Sequence, residues 1–144
     1  MEARKLVSAA RDLMQRADSA TAGIWPRASA LLARQALETA LDDYWRQHAP
    51  GLERCTMRAQ LLCLASYLRG DDAEYVAQRI AYAWVRLSRA CHQQVYELPP
   101  TATELAAWLE IVDQFIVSAS FRLTPTPKKG KSDRVPKGTR QNSV

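Results

Sequence analysis

The chain predicts an all-α fold: a five-helix antiparallel bundle over residues 1–123, followed by a disordered basic tail over 124–144. Three observations carry this. Leu, Ala, Arg and Glu dominate the 144 residues, whereas Gly numbers only 5 and β-branched residues are sparse, a composition that favours helix. Apolar residues recur at helical spacing in five separate stretches. Pro and Gly fall between those stretches rather than inside them.

The first helix is expected from about Glu2 to Ala17, with Leu6, Ala10, Leu13, Met14 and Ala17 as its stripe. Asp18 to Gly23 reads as a small-residue loop, and Pro26 suits the first turn of the second helix. That helix is expected to run to His48, with Ala30, Ala33, Leu37, Ala40, Leu41 and Tyr44 inward. Its small residues predict close approach of a neighbour, and the flanking Leu32, Ala36 and Trp45 predict contact from more than one side. Arg34–Glu38 and Asp42–Arg46 are spaced as i, i+4 ion pairs. Pro50-Gly51 ends the helix.

The third helix, about Met57 to Arg69, has Thr56 as its N-cap and Gly70 at its C-terminal turn. The fourth runs from Asp72, with Asp71 or Asp72 as cap, to about Cys91. Pro99-Pro100 interrupts the chain between Gln93 and Thr103. Thr101 or Thr103 then caps a fifth helix that ends near Phe121. Leu105, Trp108, Leu109, Val112, Phe115 and Ile116 make it the strongest apolar stripe in the chain.

Charge is uneven. The tail holds Lys128, Lys129, Lys131, Arg134, Lys137 and Arg140 against Asp133, which accounts for the whole formal charge of +5. The pI near 9.4 therefore belongs to the tail, and residues 1–123 are formally neutral. Cys55, Cys63 and Cys91 are odd in number and widely spaced, which reads as reduced thiols in a cytoplasmic protein. The charged N-terminus lacks the apolar run of a signal peptide, and no stretch is apolar enough to span a membrane, so no membrane partner is expected.

The functional reading begins at Arg86-Leu87-Ser88-Arg89-Ala90-Cys91-His92. On a helical wheel Val76, Ile80, Ala83, Trp84, Leu87 and Cys91 share an arc of roughly 100° and form the predicted core face. Arg86, Arg89 and His92 fall opposite, within roughly 120° of one another, together with Arg79, Tyr75 and Tyr82. Guanidinium presents a fixed fork to phosphate, and imidazole exchanges a proton near neutral pH. Attack of a ribose 2′-OH on its neighbouring phosphate needs both, plus a second proton-transfer group that one histidine cannot easily supply. A two-fold axis would supply it from a second chain, and a monomer is then inactive.

Two stretches resemble the HEPN superfamily of nucleotide- and RNA-associated helical domains. Ser29 to Glu38, with its Ala-rich Arg34-x-x-Leu37-Glu38, resembles the second helix of such domains. Arg86…His92 resembles their Arg-x(4–6)-His motif near the end of a long helix, and Thr101-x-x-Glu104 opens a final helix in the same order. The resemblance covers about residues 5–120. It implies a metal-independent endoribonuclease that works as a homodimer without a cofactor, in a toxin–antitoxin or defence setting. It also implies a cognate antitoxin or other protein partner. Arg86 and His92 take the motif positions; Arg89, which has no fixed role in the family, and Arg79 and Tyr82 are expected as RNA or phosphate contacts from their place on the same helix face. Leu87 stands where many active members carry a polar residue, which favours the alternative: a catalytically inactive module that binds a partner protein, a nucleotide or RNA.

Plainer roles compete for the same residues. His92 and His48 sit near helix ends, where imidazoles cap carbonyls. Arg79, Arg86 and Arg89 would also suit a solvated face paired with Glu97 or Asp72. Tyr75, Tyr82, Trp25 and Trp45 are candidates for dimer contacts or base stacking. Cys55, Cys63, Cys91 and His92 are not spaced as a closed zinc site, so no metal is expected. The acids Asp42-Asp43 and Asp71-Asp72 are adjacent at helix ends, and no Walker loop, dinucleotide turn or nucleophile elbow occurs.

Overall fold

The computed structural model describes residues 2–16, 18–92 and 96–121. Its helices are α1 (Glu2–Gln15), α2 (Trp25–His48), α3 (Met57–Tyr67), α4 (Ala73–Cys91) and α5 (Ala102–Phe121), with a 3-10 turn at Leu52–Arg54 between α2 and α3. Among the described residues there is no strand. The expected boundary at 123 and the expected tail, like Ala17 and Gln93, lie outside the described residues.

α2 is the axis of the bundle. α1, α4 and α5 all pack against it. The sequence explains how one helix serves three neighbours: Ala30, Ala33, Ala36 and Ala40 are all buried, and so are Leu37, Leu41, Tyr44 and Trp45. Alanines narrow the helix on the faces where backbones must come close. At the α1 crossing Ser29 is fully buried, and its Oγ donates to the Ala10 carbonyl at 3.3 Å, which satisfies the hydroxyl. Trp45, expected as an outer contact, is completely buried and stands edge-on to the Tyr67 ring 5.2 Å away, so it is unavailable to an RNA base or a second chain.

α1 buries Ala3, Val7 and Ala10. Among the described members of the expected stripe, Ala10 is the one that is fully covered; Leu6 and Met14 lie at the edge of the core. Small residues win the centre because the α1–α2 crossing is close, which pushes the bulkier leucines to the flanks. In α5 the whole predicted stripe is buried, from Leu105 through Ile116. Each such large side chain contributes about 1.5–3 kcal/mol of transfer free energy.

Pro26 opens α2, as its ring geometry favours. Gly51 turns the chain after it at φ 106°, a conformation that L side chains rarely adopt. Thr56 caps α3, its Oγ1 accepting from the Ala59 N–H at 3.3 Å. α3 stops at Tyr67, short of the expected Arg69. Leu68 is extended, and Gly70 makes the turn at φ 119°. Leu62, counted with the apolar content of α3, is 74% exposed. Asp72 occupies the N-cap position of α4, but its side chain makes no capping bond. Thr101 and Glu104 open α5 with a reciprocal capping box: Glu104 N–H donates to Thr101 Oγ1 at 3.2 Å, and Thr101 N–H to Glu104 Oε2 at 2.9 Å. Arg46 pairs with Asp43 at 3.2 Å rather than with Asp42.

Candidate functional site

α4 carries the candidate residues, and its orientation decides where each one goes. Ala77, Ile80, Ala83, Leu87, Ala90 and Cys91 are buried. Val76 and Trp84 lie at the margin. The core face thus keeps the centre of the wheel arc and is wider, because the small Ala77 and Ala90 are covered at its two edges. On the far side Tyr75, Tyr82, Arg89 and His92 are exposed, while Arg79 and Arg86 are half-buried.

The residues on that side do not form one cluster. Arg86 and His92 are six positions apart, about 9 Å along the axis and 120° around it. Arg86 leans toward α5. Its guanidinium carbon stands 5.5 Å from the Trp108 ring and 5.8 Å from the Tyr82 ring, in the range for cation–π attraction. Together with Arg89, Tyr96, Pro99, Glu104 and Trp108, it lines an open groove of about 810 Å³ between the end of α4 and the start of α5. Arg89 reaches Glu97 at 3.8 Å, and both side chains are largely solvated, so the pair contributes little. Arg79 lies 5.8 Å from the Tyr75 ring and lines a separate groove of about 500 Å³ between α4 and α5. Trp108, which holds Arg86, reads from sequence only as core.

His92 is on the other flank, toward α2. It caps α4, its N–H shared between the Ser88 and Arg89 carbonyls, both at 3.2 Å. Its ring reaches across to α2, where Nε2 lies 3.4 Å from Arg34 Nη1. Arg34 in turn donates through Nε to Glu38 Oε1 at 2.8 Å, and Trp84 Nε1 donates to the same oxygen at 3.3 Å. The Trp84 ring lies 5.5 Å from the Arg34 guanidinium. Cys91 is buried beside this group. Burial pushes its thiol up, against the opposing pull of Arg34 and Arg27, so it behaves as a packed thiol rather than a nucleophile.

Sequence reasoning finds Arg34 and Glu38 only as a helix ion pair and as part of the second-helix resemblance. Their i, i+4 spacing is visible; their arrival beside His92 depends on how α2 and α4 cross. The other histidine has the plainer role. His48 Nδ1 donates to the Tyr44 carbonyl at 2.8 Å, and its ring stacks on Tyr44 at 4.1 Å.

Among the described residues no three His, Cys, Asp or Glu side chains are grouped to hold a metal ion, and no helix is long and apolar enough to cross a membrane. No protein-family model matches the chain, no curated protein matches it, and no solved structure matches it. The protein is an all-helical domain of five packed helices, with an exposed imidazole beside a half-buried guanidinium on one flank of α4 and a groove lined by Arg86, Arg89, Glu97 and Glu104 on the other.

Proposed function

We propose that this domain is a HEPN-like homodimer that cleaves RNA by 2′-OH attack. His92 serves as proton-transfer group, Arg86 as phosphate ligand, and Arg89, Arg79 and Tyr82 as outer contacts to the strand. One observation carries the reading: His92 is exposed at the end of α4, with the Arg34 guanidinium of α2 at 3.4 Å. That sets a proton-exchanging group beside a cation in reach of solvent, with Arg86 as a further cation on the other flank of the same helix. Arg86 supports it. It is half-buried, it rests against two aromatic rings, and among the described residues no carboxylate lies within ion-pairing distance. A cation partly withdrawn from water and lacking a counter-ion favours an incoming anion.

Because Arg86 and His92 turn to opposite flanks, a site that uses both needs a second chain. Tyr75, Tyr82 and Val85 line the outer face of α4 and are 61%, 53% and 54% exposed, an apolar surface suited to a helix–helix contact. The same divergence favours the second reading. Without a partner to bring the two together, the domain binds RNA, a nucleotide or a protein and cleaves nothing.

Incubation of the purified protein with total RNA in chelator separates the two. Chelator-resistant cleavage that falls at least about 100-fold in His92→Ala, the typical worth of a general acid–base group, supports the enzyme. Equal traces for both proteins leave the binding module. A monomer at micromolar concentration removes the shared site.

A further inference from the structure

We propose that Arg34 and His92 form a phosphate-binding site within one chain, with Glu38 and Trp84 as positioning residues that hold the Arg34 guanidinium in place. The proposal deepens the ribonuclease reading and rests on it for its substrate class, a phosphodiester. It reassigns the guanidinium nearest His92 from α4 to α2.

The distances rank the contacts. The Arg34–Glu38 bond at 2.8 Å is a charge-assisted hydrogen bond of full strength, and the Trp84 N–H shares the same carboxylate oxygen. These two partners fix the guanidinium. The Arg34–His92 contact at 3.4 Å is long, near the limit for a hydrogen bond. It is the one that yields when an anion arrives.

The chemistry follows from the donors. Arg34 spends Nε on Glu38 and also hydrogen-bonds the Cys91 thiol, so the N–H groups it offers to a phosphate oxygen are those on the His92 side. For Nε2 of His92 to accept from Arg34, the neutral ring must carry its proton on Nδ1. That leaves Nε2 as the basic nitrogen beside the phosphate, available to take a proton from a hydroxyl. Glu38 touches neither the phosphate nor His92 in this arrangement, so it acts only through Arg34. Trp84 closes the inner side of the guanidinium at 5.5 Å, which limits the rotamers open to it.

The test uses the full chain and a deoxydinucleotide, which carries one phosphodiester and no 2′-OH to react. With only two histidines in the chain, ring nitrogen NMR assigns His92 directly. The wild-type neutral ring is expected as the Nδ1–H form, and the dinucleotide is expected to shift the His92 and Arg34 signals in the millimolar range. Arg34→Gln should remove the tautomer preference and weaken dinucleotide binding at least about tenfold, the loss of one charged hydrogen bond. Glu38→Gln, which keeps the shape of the side chain, should lose the tautomer preference with a smaller loss of binding. It also serves as the test should Arg34→Gln fold poorly. Arg86→Gln should leave the His92 tautomer unchanged. A tautomer indifferent to Arg34→Gln and Glu38→Gln overturns the proposal, as do dinucleotide shifts lost only in Arg86→Gln. Should the protein bind the dinucleotide as described yet leave RNA intact, the ribonuclease reading falls and the phosphate site stands.

Discussion

On the α2 flank of α4, Arg34 is tied to Glu38 at 2.8 Å and touches His92 at 3.4 Å. On the α5 flank, Arg86 rests 5.5 Å from the Trp108 ring, and among the described residues no carboxylate neutralises it. Each flank thus pairs an arginine with a tryptophan. One guanidinium is anchored by a counter-ion that sets its direction; the other is anchored by aromatic faces that set its depth and leave its charge unspent. Direction matters for proton transfer and in-line geometry. Unspent charge matters for capture of an anionic strand. Under the proposed ribonuclease reading, the difference divides the labour, with positioning on the His92 flank and attraction on the Arg86 flank.

The comparison breaks most readily at the tryptophans. Trp108 is 6% exposed, so Trp108→Ala is expected to cost about 3–5 kcal/mol in denaturant unfolding. Trp84 is half-buried at the core margin, and Trp84→Phe retains most of the ring. The lost N–H bond to Glu38 should cost about 1 kcal/mol. Equal losses for the two variants would show that the flanks are not held differently. Thr101→Ala removes half of the capping box beside the Arg86 groove, with an expected loss of about 1 kcal/mol. A loss under a few tenths would mean that Glu104 does not organise that edge.

The smallest effect concerns Asp42 of α2. Burial raises its pKa, offset in part by Arg46; the nearby acids Asp43, Glu38 and Glu53 add to the rise. A carboxyl whose folded pKa lies above its unfolded one binds more protons in the folded state through that window. Stability therefore falls as pH rises through it, and at neutral pH the ionised group is a liability. Asp42→Asn should raise the thermal midpoint slightly at neutral pH, and the gain should vanish below the ordinary carboxylate pKa. A gain that persists in acid would point to another cause.

Much of the architecture was legible in the residues. The α5 stripe needed only helical periodicity, because every member is large, apolar and evenly spaced. Thr56, Pro26 and the Thr101–Glu104 box were legible because caps depend on neighbours a few positions away. The α1 stripe was only partly legible: a wheel weights Leu6 and Leu13 by hydrophobicity, while the close crossing with α2 selects Ala3, Val7 and Ala10 by size. Trp45 was ambiguous for the converse reason. A tryptophan on a helix flank belongs to core or surface according to what packs beside it, and here Tyr67 of α3 does.

Local chemistry was enough to set the helices, the caps at Thr56 and Thr101 and the exposure of Arg89 and His92, since each depends on spacing along one stretch of chain. The partners of those side chains were beyond its reach. His92 meets Arg34 from 58 positions away, and Arg86 meets Trp108 across the loop into α5. Such meetings follow from the angles at which α2, α4 and α5 cross. Those angles are set by the summed packing of many alanines and leucines, and no single motif encodes them.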